Sequence, residues 1–126
     1  MRSADTVDTY LEGTEAEWRK VADGEWGITV DAAGWPLHIG LALRDGLLRA
    51  QAEVVGPDQV DDHEILFRNR GLILVRYAHT GAGAVWIHGE LPPELVSPTW
   101  LDRLLGLLVD AATVARQRAR AASGTS

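Results

Sequence analysis

The sequence predicts an α+β fold: an antiparallel β-sheet with helices packed against it, in the order α-β-β-β-α-β-β-α. Three observations lead there. Leu101, Leu104, Leu105, Leu108, Ala112 and Ala115 recur at three- and four-residue spacing, which puts them on one face of a long closing helix. Asp45-Gly46 separates two alternating runs, the chemistry of a two-residue hairpin whose turn positions both take positive φ. A Gly-Ala-Gly turn at 81–83 and a Pro-Pro break at 92–93 bracket a further strand, and no strand-helix-strand fingerprint appears.

The elements follow in order. Residues 5–22 read as a first helix, with Asp5, Asp8 and Glu12 early and Arg19 and Lys20 late, as the helix dipole favours. Its apolar stripe is Val7, Tyr10, Leu11, Trp18 and Val21, and Gly24 ends it. Glu25 to Asp31 alternates, with Trp26, Ile28 and Val30 on one side. Ala33-Gly34 turns the chain into a strand from Pro36 to Arg44. With Arg44 opposite Leu47, the register pairs Leu43 with Leu48, Leu41 with Ala50, Ile39 with Ala52 and Leu37 with Val54, so one face is wholly apolar. After Gly56-Pro57, residues 58–70 read as a short helix, acidic at its start and basic at its end. Leu72-Ile73-Leu74-Val75 shows no alternation and reads as a strand covered on both faces. Val85 to Leu91 is its hairpin partner, in a register the sequence leaves open. Ser97-Pro98 then caps the closing helix. Arg116, Arg118 and Arg120 read as a solvated last turn, and 123–126 as a disordered tail.

At 126 residues the chain fits one domain, spanning 1–122, with core enough to fold unstapled. The absence of cysteine excludes disulfides and thiolate metal sites, and no signal-peptide pattern or membrane-length apolar run is present. The expectation is a cytoplasmic protein without a membrane anchor. A net charge of −6 argues against nucleic acid as the main partner, and a DNA site at Arg116, Arg118 and Arg120 ranks low. The charge is polarised: residues 1–64 carry fourteen acids and five bases, while 65–126 carry four and seven, giving −9 and +3. A single lysine against eleven arginines points to a GC-rich bacterial genome.

No residue set promises catalysis. Asp61-Asp62-His63-Glu64 is the densest group of metal-ligand types, but neighbours on a helix point about 100° apart and cannot all meet one ion. His38, His79 and His88 lack a second histidine at ligand spacing, and the serines form no G-x-S-x-G. Neither a phosphate loop nor a dinucleotide fingerprint occurs, so no cofactor, metal or catalytic residue is expected. The five tryptophans say more. Trp18, Trp26 and Trp100 suit burial between helix and sheet, whereas Trp86 reads equally as an interface residue and as a partly exposed sheet aromatic.

The runs Leu66-Phe67-Arg68-Asn69-Arg70, Val75-Arg76-Tyr77, Ala84-Val85-Trp86-Ile87-His88-Gly89-Glu90-Leu91-Pro92 and Leu101-Asp102-Arg103-Leu104-Leu105 are together similar to the bacterial YbjN family, described as sensory transduction regulators. The resemblance covers about residues 18–115, through the order and spacing of its motifs. The middle helix departs from the pattern, being short and acidic at its start. The resemblance implies a fold like that of type III secretion chaperones, which are small, acidic, homodimeric, non-enzymatic binders of protein clients. It further implies a protein partner from signal transduction, such as a histidine kinase of a two-component system. The competing reading is a small metal-dependent or hydrolytic enzyme. One layer of helices covers only one face of a sheet, so a second copy or a partner is expected on the other. Arg49, Gln51, Leu74, Arg76, Trp86 and His88 are the residues placed near that shared face.

Overall fold

The computed structural model describes the backbone of residues 2–124 and side chains to 122. The chain runs α1 (Ser3–Glu12), β1 (Glu17–Ala22), β2 (Glu25–Ala32), β3 (Trp35–Arg44), β4 (Leu47–Val55), α2 (Asp62–Arg68), β5 (Val75–His79), β6 (Val85–Leu91) and α3 (Pro98–Gly124). Short 3₁₀ turns lie at Asn69–Gly71 and Pro93–Leu95. All six strands form one antiparallel sheet in the order β1-β2-β3-β4-β6-β5.

The α+β class stands, with one strand more than the sequence reading. Residues 17–22 are β1, not the second half of a helix. Gly13 closes α1, its N–H donating to the Tyr10 carbonyl at 3.2 Å while the Thr14 N–H donates to the Leu11 carbonyl at 3.0 Å. β1 is an edge strand exposed on most of its length, so it shows no apolar alternation; pairing of Trp18 with Ile28 and Lys20 with Trp26 makes it a strand. Gly24, at φ 71, turns that hairpin instead of capping a helix.

The β3–β4 hairpin keeps the expected register from Arg44↔Leu47 through Ile39↔Ala52, and Asp45 and Gly46 take φ 53 and 74. Leu72 to Leu74 are not strand. At Leu74 (φ 67) the chain reverses so that the Val75 N–H donates to the Ile73 carbonyl at 2.7 Å, and β5 starts only afterwards. Their apolar run came from a connector: Leu72 and Leu74 pack against the core while Ile73 is exposed.

The helices α1 and α3 lie together on one face of the sheet, with Val7, Leu11, Leu101, Leu104 and Leu108 buried against Trp26, Leu37, Ile39, Leu41, Leu48 and Ile87. Ser97 caps α3 through its side chain, which accepts the Trp100 N–H at 3.2 Å. Tyr10 of α1 donates its hydroxyl to Asp102 at 3.0 Å, and burial, with that carboxylate, pushes its pKa up to about 12. Of the three tryptophans assigned to the core, Trp26 is fully buried, its indole N–H donating to Asp8 at 2.8 Å, while Trp18 and Trp100 are half-buried. α3 continues through residues 123 and 124, into the stretch read as a tail; residues 125–126 lie outside the described residues.

Candidate interaction surfaces

The alternation of each strand leaves one face of the sheet without helices. On β4, Leu48, Ala50, Ala52 and Val54 are buried while Arg49, Gln51 and Glu53 are exposed. On β6, Val85, Ile87, Gly89 and Leu91 turn to the core, and Trp86, His88 and Glu90 to the other side. The ladders align Gly27, Gly40, Gln51, His88 and Arg76 in one row across the open face, with Arg49 opposite Glu90, and Trp86 between Glu53 and Ala78. Five of the six residues placed there from sequence thus share one surface. Leu74 does not; it sits in the connector before β5 and packs against the core.

This face is polar. Arg76 and Glu90 form a two-pronged ion pair at 2.7 Å on each prong. Burial, and then Arg76 and Arg49 nearby, hold the pKa of His88 below its ordinary value, against an opposing pull from Glu90. The Trp86 and His88 rings lie 6.2 Å apart, centroid to centroid.

A second surface is apolar. Within residues 66–73, Leu66 is 70% exposed, Phe67 63% and Ile73 57%, with the Arg70 guanidinium 5.8 Å from the Phe67 ring centre. The same segment shields the outer edge of β5. Asn69 accepts the Tyr77 N–H at 2.7 Å and donates to the Tyr77 carbonyl at 3.0 Å, as a neighbouring strand would.

The third feature is a cavity of about 730 Å³ at the end of the sheet, walled by Trp35, Trp86, Glu53, Arg116 and Arg120 among others. Arg116 corrects the expectation of a solvated last turn, being 4% exposed. Its guanidinium donates to the carbonyls of Val54 (2.9 Å), Ala32 (3.0 Å), Trp35 (2.9 Å) and Pro36 (3.1 Å). Arg116 and Arg120 lie 4.7 and 5.4 Å from the Trp35 ring centre, and Arg120 also donates to the Ala33 carbonyl. Arg118 ion-pairs with Glu64 instead. The arginines are therefore tied to the fold, not laid out along a backbone-binding stripe. A signal for Arg116 was present: it continues the Leu108, Ala112 spacing of the buried stripe, where a cation needs partners.

The acidic start of α2 is likewise engaged. Asp61 caps the helix by accepting the His63 N–H, and Glu64 also holds Arg68 at 3.2 Å. Among the described residues, no three histidine or carboxylate side chains gather as a metal site.

No family model and no curated protein matches the chain. Solved structures do. A crystal structure of the ExsC–ExsE complex matches with TM-score 0.68 at 17% identity, covering 93% of this chain and 96% of that one. The HopA1–SchA chaperone–effector complex gives 0.66 at 14% identity, over 90% and 89%. The Yersinia pestis type III secretion chaperone SycH, in complex with a stable fragment of YscM2, gives 0.62 at 19% identity, over 90% and 98%. The α+β fold, a six-stranded antiparallel sheet with helices against it, matches that of type III secretion chaperone structures.

Proposed function

We propose that the chain is a non-enzymatic, homodimeric, cytoplasmic protein-binding module, chaperone-like or regulatory, whose partner is a bacterial signalling protein such as a two-component histidine kinase. The observation that carries this reading is exposed apolar surface: Leu66, Phe67 and Ile73 stand out to solvent within one short segment. A second copy docks there, because large exposed apolar side chains gathered in one segment suit self-association. The partner docks on the open sheet face, at Arg49, Gln51, Arg76, Trp86 and His88, where charge and an aromatic give a more selective surface. The chaperone fold supports a binding role, and the likeness to the YbjN motifs supports the signalling partner. No helix among the described residues is long and apolar enough to cross a membrane.

Sedimentation equilibrium tests the dimer. The wild type is expected to sediment as a dimer at micromolar concentration and the Leu66→Glu/Phe67→Glu variant as a folded monomer; a monomeric wild type would overturn the self-association. For the partner, co-purification from the native host is expected to recover a signalling protein with the wild type and to lose it with Arg76→Glu. Retention by that variant would remove the partner from this face.

A further inference from the structure

The cavity at the end of the sheet is walled by two guanidiniums, those of Arg116 and Arg120. Among the described residues, no carboxylate lies within ion-pair distance of Arg116 or Arg120. Four backbone carbonyls take four of the five N–H donors of Arg116, but dipoles do not cancel a charge, and a guanidinium stays protonated. Arg120 uses one of its N–H groups on Ala33 and, being exposed, keeps the rest of its fork for another acceptor. Glu53 lies in the same wall and Asp31 acts on Arg116 through its charge, yet neither comes within ion-pair distance of either guanidinium among the described residues. Trp35, Trp86 and Val55 supply aromatic and apolar surface beside the polar His38 and Gln59. Trp86 also keeps its indole Nε1 buried with no hydrogen-bond partner among the described residues, a donor still owed an acceptor. At about 730 Å³ the space suits a small ligand or two or three side chains.

We propose that this cavity holds an acidic side chain of the partner's chain together with the apolar side chain beside it, the carboxylate on Arg120 under the fixed charge of Arg116, and the apolar group between Trp35 and Trp86. Through Trp86 and Glu53 the cavity is continuous with the open face, so the proposal rests on the partner site assigned above and specifies what that site selects. Negatively charged peptide is favoured despite the chain's net charge of −6, because Arg120 offers free N–H donors beside the buried charge of Arg116, within a Debye length of the bound group.

Two-dimensional ¹H–¹⁵N spectra of the full chain read the site directly, since each of the five tryptophans gives one indole N–H signal, assignable by single Trp→Phe variants. The probes are an acetylated, amidated Leu-Glu-Leu peptide, its Leu-Gln-Leu counterpart, and indole-3-propionate as a free acid. Saturable shifts of the Trp35 and Trp86 signals are expected with the acidic peptide, weakened about tenfold with the glutamine peptide and in Arg120→Gln. Equal shifts with both peptides, insensitivity to Arg120→Gln, or no shift at millimolar peptide would overturn the proposal. Binding of indole-3-propionate without the acidic peptide would overturn the peptide source. Sedimentation of the same samples separates these outcomes from failure of the dimer.

Discussion

Arg116 shows how one side chain closes a fold. Its planar fork reaches carbonyls at the ends of β2, β3 and β4 at once, tying the end of α3 to three strands. Lysine carries the same charge but has no fork, so it cannot meet carbonyls lying in several directions. Arg116→Lys is expected to lower stability by roughly 3 kcal/mol, as buried acceptors lose their donor, measured by urea denaturation. His88 acts through charge. Its folded pKa lies below the ordinary 6.5, through burial first and then Arg76 and Arg49. Below 6.5 the unfolded chain therefore binds the proton more readily than the folded one. The contribution of His88 to stability is present above that value and lost as pH falls through the folded pKa. Melting temperature is expected to drop over that window, and less in His88→Gln.

Among the elements, the seat of α3 on β6 is set by a glycine. Gly89 faces the helix, and a Cβ there would stand 2.7 Å from Leu104 Cδ1, 2.9 Å from Val75 Cγ1 and 3.1 Å from the Leu74 carbonyl. Two of these atoms end side chains that are themselves buried, so neither has room to yield. Gly89→Ala is expected to cost about 1–3 kcal/mol by overpacking, read from the denaturation midpoint at unchanged slope. The two sheet edges are guarded differently. β1 carries Glu17, Arg19 and Lys20, while β5 is shielded by Asn69.

Over the whole molecule, helices on one face leave the opposite face and the apolar residues of the α2 segment exposed. The proposed dimer at Leu66 and Phe67 would link stability to concentration, because dissociation would accompany unfolding. The wild-type melting temperature is expected to rise with protein concentration, and that of Leu66→Glu/Phe67→Glu to stay constant, in calorimetric scans of a dilution series. The polarity of charge along the chain is only partly a polarity in space, since Glu64 from the acidic half meets Arg118 from the basic half.

Local chemistry was enough for the α+β class, the β3–β4 register, the bounds of β6, the cap of α3 and the sharing of a face by Arg49, Gln51, Arg76, Trp86 and His88. Each rests on turn residues or on a period that repeats over several positions, and these act between near neighbours. Tertiary structure decided the rest. Glu17–Ala22 became a strand because β2 offered it a partner. Leu72–Leu74 became a connector because the chain reverses at Leu74, where four apolar residues in a row carry no period to say so. The cavity depends on Arg116 and Arg120 meeting Trp35 from more than eighty positions away, a convergence that exists only once α3 has crossed the sheet.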